Sequence, residues 1–160
     1  MSWTNFRIGH GYDIHRLQEG GKLPLGGVIV CETMSPVAHS DGDVVYHALV
    51  DAIFGAIGEG DIGEHFPSSE AKWKDVESII FLERALNEMK SEGYRIENAD
   101  ITILAEKPKL RTWKPKIRES LEQILGGQVN VKAGTNEGVD AIGRGEAIAC
   151  HAVVLLAKVD

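Results

Sequence analysis

Ala147 to Val159 runs almost without polar side chains, broken only by His151 and Lys158, and no other stretch constrains the fold as much. A strand this apolar reads as buried on both faces, so the sheet that holds it must be covered twice. At 160 residues the chain has material for one domain with a real core. Helices of that domain can cover one side of the sheet. A symmetric oligomer would cover the other.

The rest of the chain supplies strands and helices of the right kind. Phe6, Ile8, His10, Tyr12 and Ile14 alternate with Arg7, Gly9, Gly11, Asp13 and His15, which predicts a strand over 6–15. Leu23 to Val30 reads as a second strand, bent at Gly26-Gly27. Ser40-Asp41-Gly42-Asp43 resembles a capping box, with Ser40 as N-cap and Asp43 in the usual Glu/Gln role. Val44, Val45, Ala48, Leu49, Ala52, Ile53 and Ala56 then repeat with helical period. Gly58 to Ala71 reads as a loop, Val76 to Glu92 as a helix closed by Gly93, and Ala99 to Leu104 as a strand. Pro115 suits the first turn of a helix running to about Leu125, and Val129 to Ala133 makes a short strand. The order ββααβαββ predicts an α/β fold of the α+β type. Residues 1–160 form one domain, a two-layer sandwich with a mixed sheet and helices on one face.

Composition narrows the function. A net charge of −7 argues against a nucleic-acid surface, since no block of Lys and Arg stands ready to offset phosphate charge. An anionic small molecule would need local cations or metal ions. No apolar run approaches the roughly 20 residues that cross a bilayer, and Met1 to Phe6 lacks the character of a signal peptide. Two cysteines, Cys31 and Cys150, fit a reducing compartment as unpaired thiols. The expected location is a reducing compartment: a cytoplasm, or a plastid stroma if a transit peptide has been removed.

The chemistry concentrates in two segments, Gly-His-Gly-Tyr-Asp-Ile-His and His-Ser-Asp-Gly-Asp-Val-Val-Tyr-His. Asp13 and His15 are spaced i, i+2, so an extended chain puts them on one face. His47 falls in the first turns of the predicted helix. Two imidazoles and a carboxylate make an open three-ligand zinc site with a position left for substrate or water. Asp43 and Asp51 flank His47 at i−4 and i+4, where one of them could orient the imidazole. The plainer reading is that Ser40, Asp41 and Asp43 cap a helix, and both can hold. His39 and Ser40 would bring an imidazole, a hydroxyl and backbone N–H groups beside the metal. Ala105 to Arg111 follows a strand end with Lys107, Lys109 and Arg111, which could grip a phosphate or solvate a turn. Thr135 could donate to a phosphoryl oxygen, and Glu137 could hold Mg²⁺ or Mn²⁺. Arg144 fits a diphosphate or an ion pair at a subunit contact.

These segments together resemble the 2-C-methyl-D-erythritol 2,4-cyclodiphosphate synthase family. The resemblance rests on Arg-Ile-Gly-His-Gly-Tyr-Asp-Ile-His at 7–15, Ala-His-Ser-Asp-Gly-Asp at 38–43 with His47, and Gly-Asp-Ile-Gly-Glu-His-Phe-Pro at 60–67. Ala-Glu-Lys-Pro-Lys-Leu at 105–110, Val-Asn-Val-Lys-Ala at 129–133 and Gly-Arg-Gly-Glu at 143–146 extend it over nearly the whole chain. It implies a homotrimeric, CMP-releasing phosphorus–oxygen lyase with active sites between subunits. The substrate would be 4-diphosphocytidyl-2-C-methyl-D-erythritol 2-phosphate. Asp13, His15 and His47 would hold zinc, and Glu137 a second cation, Mg²⁺ or Mn²⁺. His39 and Thr135 would stabilise the transition state. Asp61, Gly63, Phe66, Ser68 and Glu70 fall on the sugar- and phosphate-contacting segment, alongside Ser40. Ala105, Pro108, Lys109, Leu110 and Arg111 fall on the cytosine and phosphate pocket. Arg144 matches a position near a trimer-axis cavity open to an isoprenoid diphosphate. Three departures stand out: Phe-Pro-Ser-Ser-Glu replaces the commoner Phe-Pro-Asp-Thr-Asp, Gly-Thr-Asn-Glu-Gly at 134–138 replaces a threonine-rich run ending in Glu-Lys, and Ala141 sits where many members carry Phe. A zinc-dependent phosphohydrolase of a nucleoside diphosphate-linked substrate, or a non-catalytic metal-stabilised module, are the competing readings of the same residues.

Overall fold

The computed structural model describes residues 5–159. Its centre is a five-stranded mixed sheet in the order β4-β1-β7-β5-β6. The strands are β1 Phe6–Glu19, β4 Met34–Pro36, β5 Tyr94–Leu104, β6 Gln128–Gly134 and β7 Ala147–Lys158. Only β5 and β6 run parallel; β1 and β7, the first and last long strands, pair antiparallel from Phe6↔Ala157 to Arg16↔Ala147. β1 is longer than its alternating pattern suggested, and β4 lay below the reach of that pattern at three residues. The segment Leu23–Val30 is not one bent strand. It is a separate hairpin, β2 Leu23–Leu25 and β3 Val28–Cys31. Gly26 and Gly27 form its two-residue turn with φ of 59° and 79°, the double positive φ that two-residue hairpins favour.

Helices α1 Val44–Ile57, α3 Ser78–Ser91 and α4 Lys114–Leu125 cover one face. α1 buries nearly all its circumference because it lies between β1 and β7 on one side and α3 on the other. α3 and α4 are ordinary amphipathic helices; α4 buries Ile117, Leu121 and Leu125 at i, i+4 and i+8 over β6. Short helices α2 Ile62–His65 and α5 Asp140–Gly143, and a 3₁₀ turn at Ala71–Trp73, interrupt stretches that read as loop.

The expected capping box is replaced by another arrangement. Asp43 itself is the N-cap of α1: one oxygen accepts from Val45 N (3.1 Å) and Tyr46 N (3.2 Å) and also from Gly26 N (2.9 Å), and the other accepts from Gly27 N (2.8 Å). The same carboxylate therefore ties the helix start to the hairpin. Burial pushes the Asp43 carboxyl up, and these backbone N–H groups oppose it. Ser40 sits outside the helix, where it accepts from Gly42 N at 3.2 Å.

β7 is dry on the helix side, where Ile148, Cys150, Ala152, Val154 and Leu156 are fully buried. Its other face is only partly covered: Val153 is 37% exposed, beside Ile8 (72%), Tyr12 (43%) and Ile14 (43%) on β1. The strand is thus buried on one face by this chain alone. Both cysteines are free thiols.

α1 sits unusually close to β1. A Cβ placed on Gly11 would lie 1.8 Å from the Ala48 carbonyl oxygen, and one on Gly9 1.8 Å from that of Ala52. Only glycine permits this contact. Gly11→Ala should therefore cost about 3 kcal/mol or more in urea unfolding, at the upper end of overpacking penalties. Gly55, inside α1 but facing open space, is the control. Gly55→Ala should stabilise the chain by roughly 0.5–1 kcal/mol.

Candidate metal centre and its two cavities

The close contact of α1 with β1 carries the site. Asp13 and His15 project from β1 toward the helices on the same face as Gly9 and Gly11. His47 descends from the first turn of α1, directly before Ala48. One ligand atom from each of the three lies within 4.8 Å of the others, and among the described residues this is the one group of three or more His, Cys, Asp and Glu able to share an ion. Asp13 Oδ2 stands 2.8 Å from His15 Nε2 and 3.0 Å from His47 Nδ1, and the two nitrogens are 3.1 Å apart. A tetrahedral ion with bonds near 2.05 Å needs ligand atoms about 3.3 Å apart, so the triangle fits after opening by a few tenths of an ångström. Burial works to raise the Asp13 carboxyl, but hydrogen bonds and charge from His15 and His47 outweigh it and hold it down to about 2. The carboxylate is therefore ionised, as a ligand must be.

The imidazole of His47 is oriented by groups other than those its own helix suggested. Asp43 is committed to backbone N–H groups, and Asp51 accepts from Ile62 N at 2.8 Å, pinning α2 to α1. His47 Nε2 instead lies 2.9 Å from Ser78 Oγ and 3.1 Å from Ser40 Oγ. Ser78 donates to Asp41 Oδ1 in a short hydrogen bond, so it accepts from His47 Nε2–H. An ion taking Nδ1 in place of a proton would leave the imidazole its one proton on Nε2, where this acceptor receives it. Ser78 lies 31 residues from His47 at the start of α3, with no local signal in the sequence.

His15 and His47 open into a cavity of about 330 Å³ that His39, Ser40, Gly63, Phe66 and Ser68 also line. Trp73, Lys74 and Phe81 complete the wall and went unrecognised in the sequence. The rings of Phe66, Trp73 and Phe81 pack on one another with centroids 4.5–5.9 Å apart, and Phe81 reaches His47 at 6.0 Å. Asp75 N donates to His39 O at 2.7 Å, stitching this loop to the strand of residues before α1. Asp61 is spent on capping α2 through Glu64 N (2.9 Å), and Glu70 pairs with Lys72 at 2.6 Å; neither lines the cavity.

Ala105, Pro108, Lys109, Leu110, Arg111 and Thr135 gather in a second cavity of about 320 Å³ with Lys114. The span 107–118 holds six of the seventeen Lys and Arg and no acid, a local cationic face that the net charge conceals. Glu137 follows on the same loop, its carboxylate 3.5 Å from Thr135 Oγ1, and takes no part in the Asp13 cluster. Arg144 is exposed and paired with Glu146 at 3.0 Å, outside both cavities.

The two cavities lie at the same end of the sheet but toward opposite edges. Asp13, Cys150, Ile103 and Ala133 are neighbours in register across β1, β7, β5 and β6. That separation is three strand spacings, roughly 14 Å. The turn of the β2–β3 hairpin joins α1 to α4: it is bound to Asp43 on one side and to α4 on the other, where Ser120 donates to Gly26 O at 2.7 Å.

Known proteins match this chain along its length. A model of the YgbB family matches residues 6–157. The 2-C-methyl-D-erythritol 2,4-cyclodiphosphate synthase of Brachyspira hyodysenteriae is 48% identical, over 95% of this chain and 98% of its own length. The chloroplastic enzyme of that name from Arabidopsis thaliana is 46% identical, over 96% of this chain and 68% of its own length. The solved structure of Plasmodium falciparum IspF in complex with CDP superposes with a TM-score of 0.86 at 36% identity, covering 99% of this chain and all of that one.

Replacing both Ser78 and Ser40 by Ala leaves the three ligands in place but removes both hydroxyl acceptors, the nearer Ser78 included, that hold His47 Nε2. Zinc affinity measured by competition with a chelator should fall by about 10- to 100-fold. An unchanged affinity would show that the two serines only pack.

Proposed function

The chain belongs to the YgbB family, and we infer that it is the enzyme that closes 4-diphosphocytidyl-2-C-methyl-D-erythritol 2-phosphate into 2-C-methyl-D-erythritol 2,4-cyclodiphosphate with release of CMP. The observation that carries the site assignment is the Asp13–His15–His47 triangle at the mouth of a cavity walled by aromatic rings. In the reaction an oxygen of the 2-phosphate forms a bond to the β-phosphorus, and the bond from that phosphorus to the bridging oxygen of CMP breaks. The substrate carries its own nucleophile, so the protein has to position and to compensate charge.

Asp13, His15 and His47 hold zinc in this reading, and Glu137 holds Mg²⁺ or Mn²⁺ with the diphosphate. The bound ions supply charge compensation for phosphoryl groups that would otherwise repel. His39 and Thr135 donate to phosphoryl oxygens as charge shifts between them. Gly63, Phe66 and Ser68 seat the sugar portion, while Asp61 and Glu70 act through the loop they stabilise. Ala105 to Arg111 hold the cytidine and its phosphate. Lys74 adds a cation to the metal-side cavity.

In this reading the cytidine end of the substrate enters the second cavity of one copy and the reacting end enters the first cavity of a neighbour. The half-open sheet face supports the same conclusion. Phe6, Ile8, Tyr12, Ile14 and Val153 leave an apolar surface that a homotrimer covers. Arg144, held by Glu146, would be the cation that meets an isoprenoid diphosphate on the trimer axis.

Phosphorus NMR on authentic substrate tests the reaction. The products should be the cyclic diphosphate and CMP in equal amounts. Inorganic phosphate would identify a phosphohydrolase instead. His47→Ala should lose zinc and about a thousandfold in turnover, the scale of a lost transition-state electrostatic contact, with its circular dichroism unchanged.

Sedimentation of the native chain should give three times 17.4 kDa. Ile8→Asp, which places a charge on the open face, should shift the species toward the monomer. A native monomer at micromolar concentration would remove the intersubunit site.

A further inference from the structure

The sheet face opposite the helices carries a second pair of imidazoles that the reaction does not use. His10 on β1 and His151 on β7 are diagonal neighbours across the antiparallel ladder, since Tyr12 is the residue directly opposite His151. His10 Nε2 lies 3.0 Å from His151 Nδ1. The ring of Tyr12 packs on His151 with centroids 4.7 Å apart and turns that imidazole toward His10. Asp13 and His15 point to the other side of the same strand, so the sheet itself separates this pair from the triad.

We propose that His10 and His151 form a second metal site, selective for borderline transition cations such as Co²⁺, Ni²⁺, Cu²⁺ or Zn²⁺. Adjacent positions on an octahedral ion with bonds near 2.1 Å lie about 3.0 Å apart, which matches the observed nitrogen separation. In the metal-free chain one ring must place its proton in that gap. Moving the proton to the outer nitrogen of the same ring frees both lone pairs, and that nitrogen has no protein acceptor to give up. The neighbouring oxygens are the neutral hydroxyls of Thr102, directly opposite His151, and Tyr12. Asp100, the nearest carboxylate across the ladder from Val153, is already held by Lys132 (2.6 Å) and Asn130 (3.0 Å). A two-imidazole site without carboxylate or carbonyl ligands favours these ions over Mg²⁺ and Ca²⁺. This is the face that the proposed trimer encloses, so water held between the copies completes the coordination. Without a hydrogen-bond partner on either outer nitrogen, the site binds about 10- to 100-fold more weakly than one with that support.

Equilibrium dialysis of the metal-free full-length protein against Co²⁺, read by metal analysis, tests this. The native chain should bind two Co²⁺ ions per copy, the weaker one lost in both His10→Ala and His151→Ala. Mg²⁺ in excess should not displace it. His47→Ala should lose the tighter ion and keep the weaker, so failure of the triad reading shows in a different variant from failure of this one. A native stoichiometry of one with His151→Ala titrating like the native chain, or a weaker ion that survives both His10→Ala and His151→Ala, would overturn the proposal.

Discussion

The contact between α1 and β1 through Gly9 and Gly11 is the one on which the rest depends. Two strand positions without side chains let a helix backbone rest against a sheet backbone, with the Ala48 and Ala52 carbonyls where Cβ atoms would otherwise be. The consequence is geometric. His47 and Ala48 are consecutive, and Gly11 and Asp13 are two apart on one strand face. Any increase in the helix–strand distance would therefore pull His47 Nδ1 away from Asp13 Oδ2, now 3.0 Å apart. Packing and metal geometry are one constraint here.

Acidic residues around the site divide their work in a way that residue type alone does not reveal. Asp13 faces the ion. Asp43 holds the start of α1 and the hairpin turn, Asp51 holds α2, and Asp41 steadies Ser78, which steadies His47. Each carboxylate removes one freedom from the cavity wall. Asp43 is fully buried, and a buried carboxylate is tolerated because backbone donors converge on both of its oxygens.

The long elements were legible in the sequence because their periodicities are strong. The strand over 6–15 and the helix from Val44 repeat with a clear period, the last strand is an almost unbroken apolar run, and the structure has all three with shifted ends. The triad was legible as residue types at a strand spacing and a helix start. What stayed hidden is non-local or short. β4 and α5 have too few residues for a period, and the split of Leu23–Val30 depends on two positive φ values that glycine permits but does not demand. Ser78 and Phe81 join His47 only because α3 packs on α1. Helical spacing offers Asp43 or Asp51 as the group that orients His47. That spacing places them on its face of α1, yet nearer backbone N–H groups take their oxygens first.

Charge distribution explains how an acidic chain can receive a polyanion. A net charge of −7 repels a nucleotide diphosphate at long range, but at physiological salt that repulsion is screened beyond about 8 Å. Inside that distance local groups decide. The span 107–118 presents only cations, and its Arg111 and Lys114 line the second cavity. The first cavity is different: its wall is mostly apolar, with Lys74 the one Lys or Arg among its lining residues. Such a wall lowers the local dielectric and strengthens whatever charge a bound ion contributes at the triangle. In the proposed reading the nucleotide end would meet fixed side-chain cations, and the reacting end charge brought by an ion at the triangle. That division would suit a reaction in which phosphoryl charge moves between centres, because fixed cations can hold a leaving group in place while an exchangeable ion answers the charge that develops.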